Sequence, residues 1–321
     1  MALGFCNCEP ISSRALHVPW DEAGCLCPVG DFFNYAASED ERFSEIGETE
    51  ASPAQLSSLC ENNDTARNSA ESDFPSQRLT DGGYEDDETA YCFYARKRYK
   101  KGEQVLLCYG TYTNLELLEH YGFILNVNPN DKAFIPLDAD ICTSSSWPKD
   151  ILFLQHDGRP SFALLSTLRL WVTPHNLRRT VGHQAYSGLQ LSVDNEITVM
   201  RWLAERCQDV LREMPTSVAD DCSTKDAIDN MLKCASWKDC MDLLSCEGEL
   251  KAFFQVNTSN EGVSGFPLSR KLKTSLGRTR LALQWRIIYK TALLNCISYC
   301  VKVVEMVSSR SASGNEANKE I

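Results

Sequence analysis

The sequence has few basic residues for its length, and this shortage of positive charge limits its partners. Its 321 residues include 32 Lys or Arg against 44 Asp or Glu, a formal net charge of −12. The excess is local, because residues 39–88 contain fifteen acidic and only three basic residues. The remainder carries 29 residues of each sign. Without a basic stripe to neutralise phosphates, we expect no direct binding of nucleic acid.

Uninterrupted apolar runs and a secretion signal are also missing. The longest apolar stretch, near residues 281–306, contains Arg286, Lys290 and Lys302, which are costly inside a bilayer. We therefore predict no membrane segment. The fifteen cysteines form an odd set without a secretory leader. We interpret them as reduced thiols of the cytoplasm, nucleus or chloroplast, and the sequence does not choose among these compartments.

Motifs for several common chemistries are absent too. No Gly-x-Ser-x-Gly elbow is present to support a serine nucleophile. The pairs Cys6-x-Cys8 and Cys25-x-Cys27 have a one-residue spacer, which is tighter than the usual zinc-ligand spacing. We predict no metal site.

The organisation that is present begins with a polar segment between two strand-like stretches. Residues 39–88 are rich in Ser, Asn and acidic residues and show no persistent period, which predicts a disordered insertion. The aromatic run Tyr91–Ala95 predicts a strand, and the apolar run Val105–Cys108 predicts another after a turn. A short helix over 114–120 follows.

The ends of that short helix and the helices after it are predicted from capping residues and apolar spacing. Thr113 or Asn114 is suited to begin the short helix, and Gly122 to end it. From about Ser161 helical periodicity dominates. Three later helices are predicted: one capped by Asp194 or Asn195, one starting at Ser223 or Thr224 and reaching Trp237, and one from Arg278 to Val307.

One ordered set of residues points to a particular family. The segments, in chain order, are Ser13-Arg14, Pro28 to Asn34, Gly102-Glu103-Gln104-Val105, Tyr109-Gly110, Asn114, Leu117-Leu118 and Tyr121-Gly122-Phe123. This set resembles the SET domains of the Rubisco large-subunit methyltransferase class, and most closely its plant members. Eleven positions of the second half match in order at fixed spacing, which makes that half specific. Residues 126–309 resemble, more loosely, the helical substrate-binding domain of the same class.

The resemblance implies an α+β fold and an activity. We expect a partial SET domain over 1–125, with short strands and a knot-like C-terminal segment. An all-α substrate-binding domain over 126–309 and a disordered tail over 310–321 would follow. The implied activity is S-adenosyl-L-methionine-dependent methylation of lysine in a non-histone protein. That protein substrate would bind through the helical domain of a monomer.

The resemblance also assigns roles to individual residues. Tyr109 would face the transferred methyl group and line the cofactor site, and Tyr121 would wall the lysine channel, which makes these two the predicted catalytic residues. The remaining predicted cofactor-binding residues are Arg14, Asp31, Asn34 and Tyr35. Each has an ordinary structural alternative: a surface charge for Arg14, a turn former for Asp31 and core packing for the tyrosines.

Two departures from the family pattern keep other functions open. Tyr35 stands where the family usually has His, and the family's Gly-x-Gly cofactor loop occurs nowhere in the sequence. We therefore expect an N-terminally short form of a longer enzyme. The alternatives are a non-catalytic protein-interaction module and a histidine N-methyltransferase.

Overall fold

A computed structural model describes residues 15–18, 21–37, 79–85, 89–95, 98–234 and 270–317. The chain divides into two compact units, Met1–Tyr112 and Thr113–Ile321. Strands dominate the described part of the first unit, and helices dominate the second. The predicted α+β class is confirmed.

The first unit contains a hairpin and a four-stranded sheet. Strands β1 and β2 pair antiparallel in the hairpin, whereas the sheet has the order β3-β6-β4-β5. The central strand β6 runs parallel to both of its neighbours, and β4 and β5 are antiparallel. The strands are β1 Ala15–Val18, β2 Asp21–Leu26, β3 Asn34–Tyr35, β4 Leu79–Glu85, β5 Ala90–Ala95 and β6 Leu106–Leu107.

Strand β4 corrects the prediction of disorder over residues 39–88. Six of its seven residues pair with β5, from Thr80 opposite Ala95 to Glu85 opposite Ala90. The polar composition of β4 does not predict a strand. The strand forms because β5 and β6, which are distant from it in part along the chain, provide its hydrogen-bond partners. The rest of the predicted insertion, 39–78 and 86–88, lies outside the described residues.

The second unit is largely helical, although the predicted all-α character is not exact. A two-residue antiparallel pair, β7 with β8, aligns Lys132 with Gln155 and Ala133 with Leu154. The helix α1 continues as a π-helical turn over Leu117–Tyr121. The elements are α1 Asn114–Glu116, β7 Lys132–Ala133, α2 Ala139–Cys142, β8 Leu154–Gln155, α3 Phe162–Val172, α4 Arg178–Tyr186, α5 Val193–Glu213, α6 Val218–Lys233 and α7 Arg270–Ala317.

The predicted limits of the short helix are confirmed, and so is the onset of helix at Ser161. Thr113 accepts a hydrogen bond from the Glu116 amide, and the Glu116 carboxylate accepts one from the Thr113 amide, forming a capping box. Gly122 ends the π-turn in the left-handed conformation, with φ of 74°. The Ser161 side chain caps α3 by accepting from the Leu164 amide.

The predicted starts of α5 and α6 are wrong by a few residues. Ser192 caps α5 by accepting from the Asn195 amide, so Asp194 and Asn195 already lie inside the helix. Ser217 caps α6 in a capping box with Asp220, ahead of the predicted start at Ser223 or Thr224. Each first turn contains a polar pair, Asp194-Asn195 in α5 and Asp220-Asp221 in α6, which interrupts the apolar spacing, so a start inferred from that spacing falls too late. α6 ends at Lys233, and Trp237 lies outside the described residues.

The last helix is longer than predicted and forms part of the core. It begins at Arg270 rather than Arg278, and it continues through Ala317 into the segment predicted to be a disordered tail. Its inner face packs on α5, and together with α3 these helices form a core of fully buried apolar residues, which include Leu164, Leu168, Val199, Leu203, Leu293 and Cys296.

The same helix is long and apolar enough over Arg270–Ser309 to cross a membrane, by length and composition alone. One such helix is weak evidence, because the core helix of a soluble protein has the same properties. The absence of a membrane segment stays a prediction.

The boundary between the units lies ahead of the predicted one at 125/126. Asn114 is fully buried, and its side chain donates to Asp131 Oδ2 at 2.9 Å and to the Leu125 carbonyl at 3.2 Å. Its Oδ1 accepts from the Leu125 amide at 3.0 Å. These bonds attach the short helix to the loop that follows it, and this explains why residues 113–125 belong to the helical unit.

Candidate functional site

A parallel strand pair assembles the candidate site in the first unit. Asn34 lies opposite Leu106 and Tyr35 opposite Leu107, and the Ala36 amide donates to the Leu107 carbonyl at 3.1 Å. This pairing places the end of the Pro28–Asn34 segment beside the segment that runs into Tyr109. Two parts of the sequence motif that are distant along the chain are therefore adjacent in space.

Tyr109 is held from both its hydroxyl and its ring. The hydroxyl donates a hydrogen bond to the Phe33 carbonyl oxygen at 2.5 Å. The ring lies against that of Tyr35, with the centroids 5.3 Å apart and the planes inclined by 52°. A phenol oxygen can accept as well as donate, so this donation to the backbone does not by itself prevent the oxygen from accepting a hydrogen bond.

Tyr35 is buried and bonded to the same segment from the other side. Its side chain is 8% exposed, and its hydroxyl donates to the Gly110 carbonyl oxygen at 3.1 Å. A histidine at this position is too short to place a donor where the phenol oxygen lies. Tyr35, which departs from the family pattern, thus packs in a way that requires both a ring and a hydroxyl at the end of the side chain.

The other predicted cofactor residues lie just ahead of this pair. Asp31 is exposed on the 3₁₀ turn Gly30–Phe32, and its amide donates to the Cys27 carbonyl at 3.3 Å. Asn34 is exposed at the start of β3, whereas Tyr35 next to it is buried. The structure therefore leaves the side chains of both polar residues exposed at the surface. Arg14 lies outside the described residues.

Tyr121 belongs to the second unit. It ends the π-helical turn, is half-buried, and has its ring centroid 6.1 Å from that of Phe123. Its role as a wall of the lysine channel stays a prediction.

Two backbone carbonyls are the site groups that sequence reasoning missed. Phe33 and Gly110 accept the hydroxyls of Tyr109 and Tyr35 respectively. No side-chain pattern marks a carbonyl acceptor, because every residue has one and only the tertiary arrangement selects among them.

Two half-buried groups near the motif have displaced pKa values. Burial raises the pKa of Tyr91 on β5, and the nearby thiols of Cys25 and Cys27 add to that effect, so its phenol stays neutral at ordinary pH. Burial also raises the pKa of Asp131, although hydrogen bonds from Asn114 and from the Lys132 amide oppose the rise.

Comparison with known proteins places these features in context. The family model described as Rubisco LSMT substrate-binding matches residues 116–290. Protein SET DOMAIN GROUP 40 from Arabidopsis thaliana is 48% identical over 296 residues, which cover 90% of this chain and 58% of that protein. The actin-histidine N-methyltransferase of Danio rerio is 29% identical over 166 residues, covering 44% of this chain and 28% of that enzyme.

Among solved structures, the SET domain of LSMT bound to MeLysine and AdoHcy is similar to this chain. The alignment covers 93% of this chain and 54% of the LSMT chain. The sequence identity is 16% and the TM-score 0.46. Rubisco LSMT bound to sinefungin and monomethyllysine aligns with 65% of this chain and 43% of its own, with 18% identity and a TM-score of 0.38. This chain spans 58% of the length of the Arabidopsis relative.

Proposed function

Since this chain belongs to the Rubisco LSMT substrate-binding family, we propose that it is part of a protein N-methyltransferase that uses S-adenosylmethionine and methylates lysine in a non-histone protein. The strand unit would contribute to the transfer site, and the helical unit would bind the protein substrate. The chain spans 58% of its 48%-identical Arabidopsis relative, and the whole protein would have the activity.

One observation supports the assignment of the transfer site more than any other. The parallel pairing of β3 with β6 brings Tyr109 to the end of the Pro28–Asn34 segment, with its hydroxyl bonded to the Phe33 carbonyl at 2.5 Å. The two most informative parts of the motif thus converge on one tyrosine. A tyrosine with only a packing role would not need to lie where these two motif segments meet.

The residues at this point suit the delivery of a neutral amine. A lysine ammonium must lose a proton before its nitrogen can attack, and desolvation beside aromatic rings lowers its pKa. The Tyr109 hydroxyl, whose O–H bond is directed at the Phe33 carbonyl, would present its oxygen to accept a hydrogen bond from the amine and orient it. Orientation of this kind supplies much of the rate in a reaction that needs no protein nucleophile.

The exposed polar residues ahead of Tyr35 fit a zwitterionic cofactor. The Asn34 amide both donates and accepts without adding charge, and Asp31 offers a carboxylate on the adjoining turn. Arg14 would pair with the cofactor carboxylate, as the family resemblance implies. When bound, S-adenosylmethionine would supply the electrophilic methyl group.

A histidine acceptor is the second candidate, and the names of relatives favour it. The Danio rerio enzyme is named an actin-histidine N-methyltransferase, and it matches 44% of this chain. A neutral imidazole is already a nucleophile near neutral pH, so the same site would need less desolvation to use it. A third reading, a non-catalytic interaction module, is motivated by the lack of a Gly-x-Gly loop.

The test combines cofactor binding with mass spectrometry of the product. We would incubate the purified chain with methyl-labelled S-adenosylmethionine and a plant protein extract, and measure cofactor binding separately by calorimetry. Label on a lysine supports the proposal, and label on a histidine replaces it with the second candidate. If neither cofactor binding nor transfer occurs, the proposal fails for this chain by itself, and the interaction module is the candidate that remains for it.

A further inference from the structure

A pair of cysteines lies at the start of the segment that leads to the candidate site. Cys25 belongs to β2, and Cys27 follows the end of that strand at Leu26. Side chains alternate between the two faces of an extended strand, so the cysteines point to one face and Leu26 to the other. Exposure follows this alternation, because Leu26 is 64% exposed whereas both cysteines are half-buried. The two thiols therefore share a face and are still accessible to solvent.

Two neighbouring groups show that the thiols share one environment. Burial raises the pKa of Tyr91, and Cys25 and Cys27 each add to the rise, so both sulfurs lie near the same phenol. Leu16 lies opposite Cys25 in the hairpin. A Cβ placed on Gly30 would lie 3.1 Å from Leu16 Cδ1 and 3.5 Å from Cys27 Cβ. Both cysteines thus lie beside one leucine and one phenol.

The spacing of the pair allows a disulfide, but only with movement of the backbone. Residues two apart in an extended strand have Cα atoms about 6.6 Å apart. Disulfides join Cα atoms up to about 6.8 Å apart, and most join atoms about 5.5–6 Å apart. The strand pairing ends at Leu26 opposite Ala15, so Cys27 is the member of the pair that lies outside the ladder. Closing the disulfide would therefore draw Cys27 toward Cys25.

A displacement of Cys27 would reach the residues of the candidate site. Its carbonyl oxygen accepts a hydrogen bond from the Asp31 amide at 3.3 Å, and the Gly30 carbonyl accepts from the Phe33 amide at 3.3 Å. The Phe33 carbonyl in turn accepts the hydroxyl of Tyr109. The turn that carries Asp31 is thus attached to the backbone of Cys27 at one end and to Tyr109 at the other.

We propose that Cys25 and Cys27 form a reversible oxidation site, at which a small disulfide such as glutathione disulfide converts the two thiols into a disulfide and detaches the Asp31 turn. Redox-sensitive cysteines are solvent-accessible and often lie next to a second thiol that can close the disulfide. The effect on cofactor binding rests on the proposed function, whereas the oxidation itself does not.

The oxidation proceeds by two exchanges. One cysteine thiolate attacks a sulfur of the small disulfide and releases the first small thiolate. The second cysteine thiolate then attacks the sulfur of the first cysteine and releases the second small thiolate. The two cysteines are oxidised, the small disulfide is reduced to two thiols, and the released thiolates take up the two protons.

Mass spectrometry of the full chain tests the oxidation. Trypsin cleaves after Arg14 and Arg42, and the peptide 15–42 contains no cysteine other than Cys25 and Cys27. We would equilibrate the purified chain in glutathione buffers from fully reduced to fully oxidised, block free thiols with iodoacetamide and digest. We expect the oxidised peptide to lack two hydrogens and both blocking groups, and dithiothreitol to reverse this. A glutathione adduct without ring closure, or a peptide that stays reduced, would overturn the proposal.

Amide hydrogen exchange tests the link to the site. In the oxidised chain the Asp31 amide should exchange about tenfold faster, because its bond to Cys27 is lost. Affinity for S-adenosylmethionine, measured by calorimetry, should also fall by about tenfold. Cys25→Ser should show neither response, whereas Cys142→Ser, which removes a half-buried thiol in α2, should respond like the wild type.

The outcomes separate this inference from the proposed function. Unchanged Asp31 exchange in the disulfide form, or an equal response in Cys25→Ser, would overturn the inference. If the reduced chain binds no S-adenosylmethionine, the proposed function fails for this chain. The mass of the peptide 15–42 and the exchange of Asp31 still decide the oxidation in that case.

Discussion

The hydroxyl of Tyr109 donates a hydrogen bond to the backbone carbonyl of Phe33 across 2.5 Å. The two residues are 76 positions apart, and the parallel β3–β6 pair makes them neighbours. This bond joins the end of the Pro28–Asn34 segment to the motif's central tyrosine. A defect in it is expected to affect both the fold of the strand unit and the proposed transfer site.

Tyr109→Phe should separate those two effects. Loss of the hydroxyl removes one hydrogen bond, so the free energy of unfolding should fall by about 1 kcal/mol. Methyl transfer should fall by about a hundredfold because the amine loses its orienting acceptor. Affinity for S-adenosylmethionine, measured by calorimetry, should change little. Tyr91→Phe, the same chemical change elsewhere in the sheet, should retain full transfer activity, and equal losses in both variants would contradict the role of Tyr109.

Tyr35 is expected to contribute to stability through its hydroxyl and its ring. Tyr35→Phe leaves the Gly110 carbonyl without this donor and should lower the free energy of unfolding by about 1 kcal/mol. Tyr35→Leu also removes the ring contact with Tyr109 and should cost about 1 kcal/mol more. Urea unfolding measures both. A Phe variant as stable as the wild type would show that water replaces the lost donor.

A buried ionic cluster between α6 and α7 predicts a large cost for removing one partner. Asp221 is fully buried and accepts from Lys290 Nζ at 2.7 Å, from Thr216 Oγ1 at 2.7 Å and from Arg286 Nε at 2.9 Å. Asp221→Asn leaves the Lys290 charge, itself 1% exposed, poorly compensated, and should destabilise by about 3–5 kcal/mol.

Two further variants control that prediction. The double variant Asp221→Leu with Lys290→Met should recover part of the loss, because it removes both fully buried charges and leaves only that of Arg286, whose side chain is 29% exposed and can turn to solvent. Asp157→Asn, which breaks a pair whose Arg159 is 62% exposed, should cost less than about 1 kcal/mol. Similar losses at Asp157 and Asp221 would show that burial does not determine the cost.

The same carboxylate predicts acid sensitivity. Burial raises the pKa of Asp221, but hydrogen bonds from Arg286, Lys290 and Thr216 outweigh burial and hold the pKa below its usual range. A pKa lower in the folded than in the unfolded chain contributes stability above the unfolded value of about 3.9. That contribution is lost as the pH falls through the lower, folded value. Denaturant unfolding measured from pH 6 to pH 2 should therefore show a smaller loss of stability in Asp221→Asn than in the wild type.

Gly158 marks a place where backbone meets backbone. A Cβ there would lie 2.6 Å from the Cys296 amide nitrogen and 2.7 Å from the Ala292 carbonyl oxygen, and φ is +86°. Since neither α7 atom can move without displacing that helix, Gly158→Ala should destabilise by about 2 kcal/mol or more. Gly182→Ala in α4 is the control, with its nearest heavy atom, in Tyr186, 3.9 Å away. It should stabilise by about 0.5–1 kcal/mol, and thermal unfolding distinguishes the two signs.

The success of sequence reasoning varied with the kind of signal. The family was predicted from the fixed motif spacing over Gly102–Phe123 and from the looser resemblance of the helical part. This prediction is confirmed, because the family model matches residues 116–290. The caps at Thr113 and Gly122 are confirmed because a capping side chain acts on its own neighbours. The starts of α5 and α6 were placed too late, because polar pairs in their first turns, Asp194-Asn195 and Asp220-Asp221, interrupt the apolar spacing.

By itself the sequence determined the family, the α+β class and the identity of Tyr109 as the residue to test, because ordered motif spacing and local capping depend only on neighbours along the chain. Only the tertiary structure decided that Leu79–Glu85 is a strand, that residues 113–125 belong to the helical unit, and that Asp221, Arg286 and Lys290 form a buried ionic cluster. Each of these depends on groups supplied from distant positions, so local composition has no signal for them.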